Sequence, residues 1–156
     1  MTTDITLGLA DLLVRAARRT PDAVAVQDLK RSLNYFELDA LANRFAKTLW
    51  QKGVRHGDRV ALLAPKSVEL VAAMQGVLRI GAAYVPLDLS SPPARLNALL
   101  DDFQPAAILT TEAEAKRVGL AGRPTLIVDA LEQLADDDGP LPGRPAATEN
   151  DLAFVL

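Results

Sequence analysis

The chain has 156 residues, 17 basic and 20 acidic side chains, a net charge of −3 and no cysteine, with 49% apolar and 24% charged residues. That suits one globular domain and argues against a disordered chain. It excludes a disulfide framework, a thiolate metal site and a cysteine nucleophile, and the mild acidity gives no nucleic-acid footprint.

Leu7 to Arg19 reads as an amphipathic helix with Leu9, Leu12, Leu13 and Ala16 on one stripe. Arg15, Arg18 and Arg19 suit the negative end of its dipole. Thr20-Pro21-Asp22 stops it, since proline cannot continue the hydrogen-bond ladder. Ala23 to Val26 is a short apolar run suited to a buried strand. Phe36 to Trp50 is a second helix with Leu38, Leu41, Ala42, Phe45, Leu49 and Trp50 on its apolar side and Gly53 as its C-cap.

Arg59 to Ala64 is a continuous apolar strand. Ser67 is placed to cap a helix over Val68 to Ile80, which Gly81 closes. Ala83 to Val85 is a strand, and Pro92 or Pro93 opens a helix running to Phe103. Ala106 to Leu109, Glu112 to Val118 and Thr125 to Val128 follow as strand, helix and strand. Strands apolar throughout, alternating with helices, imply an α/β fold: a mostly parallel sheet flanked by helices on both faces. The strands near 59–64, 83–87 and 106–109 are expected to be parallel neighbours.

Residues 1–135 read as one α/β unit, and 136–150, rich in Asp, Pro and Gly, as a flexible solvated loop. Residues 151–156, Asp-Leu-Ala-Phe-Val-Leu, start like a buried strand. No run of 18 apolar residues and no basic segment leading into an apolar one occurs, so the expectation is a soluble cytoplasmic protein with no membrane partner.

Few residues point to chemistry by themselves. No Walker-type glycine loop, Gly-x-Gly-x-x-Gly or Gly-x-Ser-x-Gly is present. His56, the sole histidine, sits in a turn with no partner at ligand spacing and reads as exposed. Asp101-Asp102 and Asp136-Asp137-Asp138 read as solvated charge, because adjacent residues on a helix do not face one another. Ser90-Ser91 before Pro92-Pro93 reads as a helix cap rather than an anion site. Tyr84 and Asp88 lie near a strand's C-terminal end, where open α/β sheets form their ligand crevice. No residue of the chain is assigned as catalytic, cofactor-binding or metal-ligating.

Three segments carry a family resemblance. Leu33-Asn34-Tyr35-Phe36-Glu37-Leu38 resembles the first core motif of the adenylate-forming enzymes, Leu-(Thr/Ser)-Tyr-x-Glu-Leu. Leu78-Arg79-Ile80-Gly81-Ala82-Ala83-Tyr84-Val85-Pro86-Leu87-Asp88 resembles the second. Gly57-Asp58-Arg59-Val60 looks like the family's turn into a strand, and Ser91-Pro92-Pro93-Ala94-Arg95-Leu96 points to the amino-acid-activating, nonribosomal peptide synthetase branch. Asn34 in place of Thr or Ser and Ile80 in place of Ala are departures at turn or packing positions.

The resemblance implies the N-terminal part of the large lobe of an ATP-dependent enzyme that uses Mg2+, forms an acyl-adenylate and passes the acyl group to the phosphopantetheine thiol of a carrier protein. Residues 151–156 match the strand leading into that family's phosphate-binding loop, which lies beyond Leu156. The chain is therefore expected to supply scaffold, to bind no cofactor alone, to be inactive alone, and to need a second polypeptide carrying the rest of the domain. The alternative is a non-catalytic interaction module derived from such a half-domain. A generic nucleotide-binding α/β domain is disfavoured by the missing glycine loop.

Overall fold

The computed structural model describes residues 8–136, 139, 141 and 150–155. In chain order the elements are α1 (Leu9–Arg19), β1 (Val24–Gln27), β2 (Ser32–Asn34), α2 (Tyr35–Gln51), β3 (Arg59–Leu63), α3 (Val68–Ile80), β4 (Ala83–Pro86), α4 (Pro93–Phe103), β5 (Ala107–Thr110), α5 (Glu112–Val118) and β6 (Thr125–Ile127). A 3-10 turn follows at Leu131–Gln133.

Strands β3 to β6 form one parallel sheet in the order β4-β3-β5-β6. The three expected neighbours are thus adjacent and parallel, with β3 in the middle. Side chains alternate across a strand, and β3 shows why its sequence does not. Val60 and Leu62 enter the core on the α1–α2–α3 side, while Ala61 and Leu63 enter the core on the α4–α5 side with Leu96, Leu100 and Val118. Both faces are covered, so both need apolar residues.

Local chemistry sets the helix ends. Asn34 Oδ1 accepts from Glu37 N at 2.8 Å, and Glu37 Oε2 accepts from Asn34 N at 2.9 Å, a reciprocal capping box that starts α2. The departure from Thr or Ser therefore keeps a good N-cap. Ser67 Oγ accepts from Leu70 N at 3.1 Å to start α3, and Gly81 ends it at φ 76°. Helices α2 and α3 approach closely at Gly76, where an added Cβ would lie 2.8 Å from Phe45 Cβ and 2.9 Å from Ala42 O.

Several expectations are corrected. On α1 the buried residues are Ala10 and Leu13, whereas Leu9 and Leu12 are both 54% exposed. The expected start at Leu7 lies outside the described residues. The 24–27 segment is no buried core strand: Val24 is exposed, and β1 pairs antiparallel with β2, which the sequence reading did not predict. Lys52 is the C-cap of α2, and Gly53 follows it at φ 93°.

After β6 the chain is held against α2. Arg44 donates to Leu131 O and Ala135 O, Ala135 N donates to Thr48 Oγ1, and Lys47 Nζ donates to Asp136 O. The chain then returns at the opposite edge of the sheet, where Phe154 bridges Tyr84 in parallel. This edge segment is not buried as expected. Leu152 is 61% and Phe154 47% exposed, because only one side of the segment meets the sheet. No helix among the described residues is long and apolar enough to cross a membrane.

Candidate functional site

The C-terminal ends of parallel strands are where an open sheet forms its crevice. Here those ends deliver Ala64 to Ser67 after β3, Leu87 and Asp88 after β4, Thr111 after β5, and Val128 and Asp129 after β6. A cleft of about 310 Å³ opens there, lined by Asp28, Lys30, Lys66, Glu69, Thr111 and Asp129 among others. Asp28 comes from the β1–β2 turn. Its carboxylate accepts from Lys30 N, Arg31 N and Val68 N, so it ties the hairpin to the first turn of α3. Those backbone donors, Arg31 first, then Val68 and Lys30, hold its pKa below the usual carboxylate value.

Asp88 stands at the exit of β4. Its carboxylate accepts from Ser90 N at 2.9 Å and from Ser90 Oγ at 2.8 Å. These bonds, the backbone one first, lower its pKa, with Arg95 adding a favourable charge. Arg117 braces the same turn by donating to Leu89 O at 3.0 Å and Ser91 O at 3.3 Å. Ser90 is thus spent on Asp88, and α4 starts at Pro93 with no side-chain cap. The expected capping by Ser90-Ser91 is not what the structure shows. Proline at the first helical position needs no donor partner, which removes part of the demand for a cap.

Tyr84 stacks on Phe154 with ring centroids 5.9 Å apart and planes 18° apart. Its backbone N donates to Ala153 O at 2.9 Å, and its O accepts from Val155 N at 3.1 Å. Tyr84 in β4 and Asp88 just past its end therefore serve different neighbours, one the returning edge segment and the other its own turn.

His56 is an exposed turn residue, as expected, but it has a partner. Its Nε2 lies 2.9 Å from Asp151 Oδ1, and its ring crowds Gly81, whose added Cβ would fall 2.4 Å from His56 Cδ2. Sequence reasoning missed this pair because 95 residues separate its members. The carboxylate pairs stay apart from the cleft. Asp101 is engaged by Arg123 at 2.7 Å, Asp102 is exposed, Asp136 offers its carbonyl to Lys47, and Asp137 and Asp138 lie outside the described residues. Among the described residues no group of three or more His, Asp or Glu side chains could hold a metal ion.

A family model described as "AMP-binding enzyme" matches residues 13–156. Gramicidin S synthase 2 of Brevibacillus brevis is 33% identical over 146 residues, covering 94% of this chain and 3% of that protein. Isonitrile lipopeptide synthase of Mycobacterium tuberculosis is 38% identical over 150 residues, covering 96% of this chain and 6% of that protein. The AMPPNP-bound form of the nonribosomal peptide synthetase FmoA3 superposes with a TM-score of 0.86 at 35% identity, over 97% of this chain and 16% of that one. The chain thus spans a small fraction of the proteins it matches.

Proposed function

The chain belongs to the AMP-binding enzyme family and has the fold of the N-terminal subdomain of nonribosomal peptide synthetase adenylation domains; on that premise we propose that it is the scaffold half of a cytoplasmic unit that adenylates an amino acid. In the complete unit the substrate carboxylate attacks the α-phosphorus of ATP. The bond from that phosphorus to the bridging oxygen breaks, pyrophosphate leaves, and an acyl-adenylate remains. A carrier-protein thiol then takes the acyl group and releases AMP. Bound magnesium would supply charge neutralisation on the phosphates, and we assign its ligands to the rest of the domain.

In this reading residues 1–135 form the subdomain, 136–150 connect it, and 151–156 begin the strand that enters the phosphate-binding loop. The observation that carries the reading is the parallel return of Ala153–Val155 onto β4. A parallel partner of β4 runs toward the level of Pro86, Leu87 and Asp88, so the segment ending at Val155 heads for the crevice side of the sheet. Placing a phosphate loop there would aim its backbone N–H groups across the strand ends. The chain's own contribution is rigidity, since positioning supplies much of the rate in such transfers.

The remaining core motifs, supplied in cis or by a second polypeptide, complete the active site. Exposed Leu152 and Phe154 are suited to be covered by those elements. The test is amino-acid-dependent ATP–pyrophosphate exchange. We expect none above background with this chain alone, and exchange when the residues that follow Leu156 in the domain are added or appended. Exchange by the chain alone, or none in the completed domain with any amino acid, overturns the reading.

A further inference from the structure

We propose that His56 is a positioning residue that sets the register of the 151–155 segment on the β4 edge, and so where the chain beyond Val155 enters the crevice. The β4 edge alone specifies register weakly. Among the described residues one bridge, Tyr84 with Phe154, joins the segment to it, through two backbone hydrogen bonds. A slip of two residues would keep the same faces of the segment in and out, yet move its end by roughly 6.6 Å.

Two side-chain pins oppose that slip. The Tyr84–Phe154 stack is one. The other is His56 with Asp151, three residues before Phe154, just as Gly81 is three residues before Tyr84. The pins therefore stand level at Gly81 and at Tyr84. His56 is itself fixed, because Gly57 N donates to Gly81 O at 2.9 Å and its ring packs where a Gly81 side chain would be. An ionised Asp151 only accepts, so Nε2 of His56 carries the proton in this pair.

The register rests on this geometry. Only its consequence for phosphate positioning rests on the adenylation reading.

The experiment is amide hydrogen exchange on the full chain, following Tyr84 and Val155, with Ile108 in the sheet centre as reference. His56→Leu and Asp151→Ala should each speed exchange of Tyr84 and Val155 about fivefold and leave Ile108 unchanged. His56→Gln, whose amide nitrogen falls near the place of Nε2, should restore protection. Unchanged Tyr84 and Val155, equal damage in His56→Gln and His56→Leu, or equal acceleration at Ile108 would each overturn the proposal. Pyrophosphate exchange measured separately on the completed domain tests the adenylation reading, so failure of one is distinguishable from failure of the other.

Discussion

Asp28 shows how one side chain can tie together the elements that line a cleft. It gathers three backbone N–H groups from two elements, and each stabilises the ionised carboxylate. Its folded pKa lies below its unfolded value, so the stability it contributes is present above the unfolded pKa and is lost as pH falls through the folded one. Asp28→Asn should therefore be less stable than the parent at neutral pH, with the gap closing below about pH 4. Urea midpoints measured from neutral to acid pH check this. Parallel curves for the two chains would show that the three bonds do not favour the charged form. Gly81 is a second residue with more than one duty. It ends α3 at a φ that suits glycine and leaves room for the His56 ring.

Between elements, the tightest approach is α2 on α3. Gly76 has no side chain there because Phe45, Ala42 and Ala46 occupy the space. In an exposed helix, Gly→Ala stabilises by about 1 kcal/mol through propensity. Here Gly76→Ala must push backbone atoms of α2 aside, and overpacking of that kind costs roughly 1–3 kcal/mol. The expected result is net destabilisation in equilibrium urea unfolding, and a net gain would mean that the two helices separate easily. The elements differ in how far the sequence shows them. Helix α3 was legible from end to end, since Ser67 and Gly81 mark its limits by local chemistry. Helix α1 was legible as a helix but not as a face. Its leucines share one stripe, but contact with α2 and α3 selects a face turned partly away from it, with Ala10 and Leu13 buried. Strand β2 was not legible, because three residues carry no period and its existence depends on pairing with β1. At the crevice, the turn at Asp88 follows from Asp and Ser two residues apart, whereas Asp28 reaching Val68 and His56 reaching Asp151 are tertiary facts with no local signal.

For the whole molecule, the path of the chain matters more than any single contact. The sheet is built from the centre outward, β3 first, then β4 on one side and β5 and β6 on the other. The chain leaves β6, is held on α2 by Arg44, Lys47 and Thr48, and reappears beyond β4. The motif resemblance located this fold well because both core motifs lie inside the unit, at the start of α2 and across the turn from α3 into β4. It assigned no reactive group, because the two segments read as shaping strand ends and helix starts.

That path has a consequence in time. A ribosome delivers β4 long before it delivers Phe154, so the nascent sheet waits with an open strand edge, the kind of surface on which growing chains stick to one another. Contacts this far apart in sequence close late, because loop entropy is lost before they form. In pulse-labelled refolding, the Val155 amide should gain protection in the slowest phase, after Ile108, and simultaneous protection of both would contradict this order. The edge segment around Phe154 thus acts as a seal added after the sheet it closes, and a chaperone guarding this protein would be needed most in the interval before it arrives.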